Sequence, residues 1–408
     1  MNTAAGRLRS WNAHLDDPVD VRSLAVLRLA IGPIVLLHLS RFLADARDGV
    51  IYSDHFTLPY WSWYPELPRG AYVAVLWVTA AAAMLLSAGL WTRVVAWVTV
   101  GGVAYNFFLS QTHFHHNRAF LLILLVGLAV LPSGRTISLD ALRARRRGAP
   151  LSPWGGSRLA LTVLRFSIAL VYFASGFSKL IDPDWWGGTV TGLRIQRNQE
   201  RLVEAGLSDG VIDVLLDPGF QNVAAKVIVL TELFIGIGLL VPRLRKAAVW
   251  FAIPFHITIE LTAHVQVFSA AGLAALVVWT DRPSHDRVVH IARGWHAAIR
   301  SLDWTGRFRL VDSTGPLLVD DAGRQREGSG AGWFVASRLP LTFWFAAPVL
   351  LVGTARHKFT PREVRSPGAP DGSPDGPHPS GSHRSPPTRA PAGSPRRRRH
   401  RIHRAASR

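Results

Sequence analysis

Four groups of residues in this chain have the types and spacing to do chemistry together. The first is the stretch 172–188, which reads Tyr-Phe-Ala-Ser-Gly-Phe-Ser-Lys-Leu-Ile-Asp-Pro-Asp-Trp-Trp-Gly-Gly. An apolar segment ends there on a lone lysine, Lys179. Asp182, Pro183 and Asp184 then set a turn, and Trp185 and Trp186 follow where a bilayer would meet water. An amine held out of water loses its proton more readily and becomes a usable base. A lysine that merely snorkels beside an aromatic belt is the alternative. The second group is Gln111–Arg118, with His113, His115 and His116. The third is His256, Glu260 and His264, whose spacing of four puts them on one helix face. The fourth is Glu232, alone inside an apolar run. One chemistry open to this set is a lysine base with histidine and glutamate relaying protons. Another is a zinc or iron site, because imidazole and carboxylate suit both metals. Membrane histidine-box enzymes need more histidines at repeated spacings, so no metal is expected. Each group also has a structural use. Glu232 could form a buried ion pair with Arg165 or Arg28, and a single intramembrane histidine often joins helices by a hydrogen bond.

The elements that must position these residues are apolar. The chain has 408 residues, is 49% hydrophobic and has no cysteine, which excludes disulfides, thiolate metal sites and cysteine nucleophiles. Its mean hydropathy is +0.18 despite a very polar C-terminal region. The N-terminal residues lack the pattern of a cleavable signal, so the first apolar run is expected to serve as its own insertion signal. Apolar runs occur at Ser23–Leu43, Ala71–Leu90, Arg93–Ser110, Arg118–Pro132, Arg158–Phe177 and Ala224–Pro242. Residues 246–280 are too long for one crossing and split at Thr262–Gln266 into two more. Each run approaches the roughly 20 residues a helix needs to cross hydrocarbon, the fourth and eighth being short. The expected fold is therefore an all-α integral membrane protein, a bundle of about eight transmembrane helices. The even loops are basic, with Arg93, then Arg135, Arg143, Arg145, Arg146, Arg147 and Arg158, then Arg243, Arg245 and Lys246. The odd loops are acidic or nearly neutral. That asymmetry puts both termini in the cytoplasm, makes the protein multi-pass in the cell membrane, and places His113, His115, His116, Lys179, Glu260 and His264 in the outer half. Residues 18–282 form the membrane domain, 283–359 a small cytoplasmic appendage, and 360–408 a disordered Pro- and Arg-rich tail. Leu339–Gly353 is too short for a comfortable ninth crossing. The tail's basic run, Arg396–Arg399, fits anionic lipid headgroups. It lacks interleaved aromatics, so membrane lipids and no nucleic acid are expected as its partners.

With the residues in place, a family pattern emerges. Tyr172–Leu180 with Asp184, Trp185 and Gly188 resembles the core motif of the vitamin K-dependent gamma-carboxylase family, whose bacterial relatives are the horizontally transferred transmembrane (HTTM) domain proteins. Glu232-Leu233, Pro242-Arg243, Phe255-His256 and Phe268-Ser269 follow that pattern in order over residues 18–282. The resemblance implies a multi-span bundle with its active site facing outward. It implies that a lysine deprotonates a reduced quinone, which oxygen turns into a base able to take a proton from a glutamate, to which carbon dioxide adds. Lys179 occupies the position of that lysine. The family's histidine corresponds to His115 or His116, which precede Asn117 and Phe120. His256, Glu260, His264, Glu232 and Trp185 are then supporting or substrate-binding candidates. The co-substrate that the resemblance implies is a lipid-soluble quinone of the menaquinone or vitamin K kind. The carboxylases carry a large lumenal C-terminal domain, and here a short segment follows the membrane domain instead. The expected activity is accordingly oxygen-dependent quinol epoxidation, with or without coupled carboxylation, and the protein substrate is unknown. Two other readings stay open: a non-enzymatic protein that binds or moves a lipid-soluble ligand, and a His/Glu metal-dependent membrane oxidoreductase. Leu302-Asp303-Trp304 and Leu310-Val311-Asp312 resemble the end of a thiol-oxidoreductase domain without its cysteines, which would be redox-inactive.

Overall fold

Each apolar run becomes a helix, because a segment in lipid must satisfy its own backbone N–H and C=O groups. The computed structural model describes residues 15–49, 58–150, 152–265, 267–279, 287–303, 307–321, 323–339, 342 and 346. Strand β1 (Val19–Asp20) precedes α1 (Arg22–Arg47), α2 (Arg69–Ala88), α3 (Thr92–Leu109), α4 (His116–Val130) and α5 (Leu139–Arg146). Strand β2 (Trp154–Gly155) pairs antiparallel with β1. Then come α6 (Arg158–Ile181), the short helices α7 (Pro183–Trp186), α8 (Thr189–Arg197), α9 (Gln199–Glu204) and α10 (Asp209–Leu216), and α11 (Pro218–Leu240), α12 (Arg245–Ala263) and α13 (Val267–Ala275). A 3-10 turn, Leu276–Trp279, extends α13.

Five of these helices are long and apolar enough to cross a membrane by length and composition: α1, α2, α3, α6 and α11. Helix α4 and Val267–Trp279 are apolar but shorter. Helix α12 has 19 residues, but Arg245, Lys246, His256 and Glu260 make it more polar. Successive long helices are neighbours, and α13 closes the circuit by packing on α1 and α4. Their inward faces share one hydrophobic core.

The closest helix pair is the one that matters for chemistry. A Cβ on Gly176 of α6 would lie 3.0 Å from the backbone N of Leu233, and one on Gly236 of α11 would lie 2.7 Å from the backbone N of Phe173. Glycine at these two positions lets the backbones of α6 and α11 approach, the small-residue packing that lipid-embedded helices use in place of a hydrophobic driving force.

The expectation of an all-α chain needs one correction. Beyond the membrane domain, β3 (Arg287–Ile291), β4 (Arg309–Asp312), β5 (Leu318–Asp321) and β6 (Arg324–Glu327) form a sheet in the order β4-β3-β5-β6. Helix α14 (His296–Leu302) connects the parallel pair β3 and β4, and α15 (Gly328–Ala336) follows β6. The physical reason is local. Short Val- and Leu-rich runs bury one face of the sheet around Val289 and Val319 against Phe334 and Val335. Trp304, the tail 360–408 and most of Leu339–Gly353 lie outside the described residues.

Candidate functional site

Lys179 does not snorkel. Its Nζ lies 2.5 Å from Oε2 of Glu232 and donates to Oγ of Ser175 at 2.9 Å. Ser175 Oγ in turn donates to Oε1 of Glu232 at 3.2 Å. Ser175 lies one helical turn before Lys179 on α6, so both side chains share a face. The carboxylate comes from α11, brought within reach by the glycine contact described above. Glu232 is only 1% exposed. The ion-pair partner is thus Lys179, and neither arginine suggested by the sequence takes that place. Arg28 is fully buried and donates to the carbonyls of Leu86 and Ser87 at the end of α2, and to those of Ser133 and Ile137. Arg165 donates to the carbonyl of Val278. Both arginines are taken up by backbone carbonyls, those of Leu86, Ser87 and Val278 lying at the ends of helical segments.

The loop expected after Lys179 is a set of short helices that wall a cavity. Asp182 caps α7, accepting from the backbone N of Asp184 at 2.9 Å, with Pro183 at the first helical position. This turn sets the Trp185 ring 4.9 Å from Lys179 Nζ and 4.7 Å from the Arg194 guanidinium. Trp186 lies over Lys226 instead, at 5.8 Å. The resulting cavity has a volume of about 630 Å³. Its wall is largely apolar, with Val171, Ile228, Ile259 and Phe268 among its members. The polar groups that reach it include Lys179, Glu232, Ser175, His115, His116 and Arg194. A space of this size and lining suits an aromatic ring with a hydrophobic tail.

His115 has two jobs. It is the N-cap residue of α4, where its Nδ1 accepts from the backbone N of Asn117 at 3.3 Å. That bond requires an unprotonated Nδ1, which leaves Nε2 to carry the ring proton. Partial loss of water at the wall lowers the His115 pKa below the ordinary 6.5, and the neighbouring charges of Arg118, His116, Arg194 and Arg41 push it the same way. The imidazole is therefore neutral at pH 7. His116 packs edge-on against Phe114 and faces the same cavity.

The stripe His256, Glu260 and His264 does not act as one face. His256 is fully buried behind the cavity, with Nε2 2.6 Å from the hydroxyl of Tyr172 and its ring against Phe268. Its Nδ1 has no partner among the described residues. Glu260 and His264 pair with each other at 2.9 Å. Helix α12 ends at Ala263, and His264 takes a left-handed backbone with φ 47°, which turns it off the helical stripe. His113 Nδ1 is 2.9 Å from the carbonyl of Asn106 and its ring packs on Phe42. Among the described residues, no three His, Asp or Glu side chains form a set able to hold a metal ion.

The cavity thus gathers Lys179, His115, His116, Glu232 and Trp185, and leaves His256, Glu260 and His264 outside its wall. Sequence reasoning missed Ser175 and Arg194. Ser175 carried a usable signal, its spacing of four from Lys179. Arg194 counted only as a loop charge, because nothing in its neighbourhood shows that the loop folds back over the bundle.

A family model, the HTTM domain, matches residues 17–282, which is more than half of the chain. No curated protein and no solved structure matches it. With this match and five helices able to span a bilayer, the chain is a multi-pass membrane protein.

Proposed function

The chain belongs to the HTTM domain family, and from that premise we propose that it is a gamma-carboxylase-like membrane enzyme that epoxidises a reduced lipid-soluble quinone with dioxygen. One observation carries the reading: a lysine amine, bonded to a buried carboxylate, faces an apolar cavity that two histidines also line. The quinol ring would occupy that cavity with its tail along Val171, Ile228 and Ile259. Lys179 Nζ takes the proton of one quinol hydroxyl, and Glu232, 2.5 Å away, holds the proton that the amine must first give up. Ser175 keeps the amine on the cavity side. His115, neutral and anchored as a helix cap, or His116 is placed to exchange the second hydroxyl proton. The apolar wall keeps bulk water from the deprotonated ring. Overall, one oxygen atom enters the quinone ring as the epoxide and the other leaves as water with both quinol protons.

In this reading all eight apolar helices cross the cell membrane. Both termini are cytoplasmic, the basic loops at Arg143–Arg147 and Arg243–Lys246 are inside, and the cavity opens outward. A second reading is favoured by the completeness of the Lys179–Glu232 bond. The pair could be structural, in a protein that binds or moves a lipid-soluble ligand without altering it. An oxygen electrode separates the two. Purified protein given reduced menaquinone is expected to consume oxygen in step with quinol loss, and binding without oxygen uptake selects the second reading.

A further inference from the structure

Next to the quinone cavity is a second chamber that the proposed chemistry leaves without a role. Its volume is about 330 Å³. Four arginines from three elements line it: Arg41 of α1, Arg118 of α4, and Arg194 and Arg197 of α8. His38, His115 and His264 also line it, and no Asp or Glu is in the wall. Charges of one sign gathered like this repel, so they need either a counter-charge from the protein or one from a ligand.

The protein supplies little. Among the described residues none of the four arginines is ion-paired to a carboxylate. The fields of Asp45 and Glu232 reach Arg118 and Arg194, but Glu232 is bonded to Lys179. Glu260 is bonded to His264. Arg118 donates to the carbonyl of His113 and lies 4.6 Å over the Phe42 ring. Arg194 lies over Trp185. Those two guanidiniums are held in place by neutral groups, which positions them without cancelling their charge. Arg41 and Arg197 stand exposed at the chamber, open to an incoming anion.

We propose that this chamber binds a phosphoryl group, carried by a lipid headgroup or free as inorganic phosphate. Guanidinium is the side chain whose planar fork matches phosphate oxygens two at a time. Four of them, with the volume of the chamber, exceed what one carboxylate can use and match the higher charge and additional oxygens of a phosphate. The two cavities share His115, Asn117, Arg194, Ala263 and Val265 as wall residues. An amphiphile could therefore set its head among the arginines and its chain in the apolar cavity. The inference does not depend on quinol turnover, so its test reads binding alone.

The probes are dioctanoyl phosphatidic acid and inorganic phosphate, titrated by calorimetry into the full-length protein in uncharged detergent. The wild type is expected to bind at least one of them saturably, and the double variant R41Q/R197Q to bind it at least tenfold more weakly. Loss confined to the phosphatidic acid assigns the site to a lipid headgroup, and loss that includes inorganic phosphate assigns it to phosphate from either source. No saturable binding by the wild type, or equal binding by the variant, overturns the proposal. Should the variant fail to fold, phenylglyoxal labelling of the wild type gives the answer. The bound probe is expected to slow modification of Arg41 and Arg197 at least fivefold relative to Arg143, and equal slowing at all three sites overturns the proposal.

Discussion

Lys179 and Glu232 form a pair that exists only because each is present. Removing one partner of a buried ion pair leaves an uncompensated charge and costs about 3 kcal/mol or more. E232Q is therefore expected to destabilise the protein by about that amount. The double replacement K179M/E232L, which removes both charges, is expected to cost less. Thermal unfolding in detergent checks this, and a double variant as unstable as E232Q contradicts it. His115 makes a prediction of a different kind. Its folded-state pKa lies below the ordinary 6.5, so between the two values the unfolded chain binds a proton that the folded chain does not. The contribution of this ring to stability is complete above about pH 6.5 and is lost as pH falls from there through the folded-state value. H115N keeps a good helix cap but cannot titrate. Between pH 7.5 and 5.5 the wild type is expected to lose more melting temperature than H115N, and equal losses contradict the assignment. At this scale the sequence showed Lys179, the histidines and Glu232 as the groups to watch. It could not show the pairing, because side-chain spacing reports which residues share a face and says nothing of which helices face each other.

At the scale of elements, the site depends on two helices lying backbone to backbone. A Cβ at Gly236 would meet the backbone N and Cα of Phe173 at 2.7 and 2.9 Å, atoms that cannot swing aside. G236V is therefore expected to separate α6 from α11, cost about 1–3 kcal/mol and pull Glu232 away from the amine. Trinitrobenzenesulfonate labelling read by mass spectrometry is expected to be faster at Lys179 in the variant than in the wild type. An unchanged rate would mean that the glycine contact does not set the pair. The apolar helices were legible because hydrocarbon leaves a backbone no alternative. Three other features were hidden for local reasons. His264 leaves the stripe of α12 through a left-handed residue that no periodicity foretells. Residues 183–216 read as a loop because each of their helices is too short to show a periodic pattern. Val289, Leu310 and Val319 read as an appendage without a sheet because β3 and β4 pair across a helix.

At the scale of the whole molecule, charge placement carries the orientation. The formal net charge of +19 is concentrated in the even loops and the C-terminal region, which the proposed topology puts on the cytoplasmic side. The chain has no cysteine, so single cysteines can be introduced without background. A membrane-impermeant maleimide applied to intact cells is expected to label S208C and to spare R145C. The reverse pattern would invert the protein, and labelling of both or neither would break the eight-crossing count. The charges of the odd and even loops are what the sequence offers for this proposed arrangement. The cavity is a property of the assembled bundle and could not be read in that way.

The claim at the centre is that the Lys179 amine is the base that activates the quinol. Oxygen uptake by purified K179A given reduced menaquinone tests it most directly, with R145A as a control for handling. K179A is expected to fall at least a hundredfold below the wild type, in line with the loss of a positioned base, while R145A keeps its rate. Uptake by folded K179A at the wild-type rate would contradict the account.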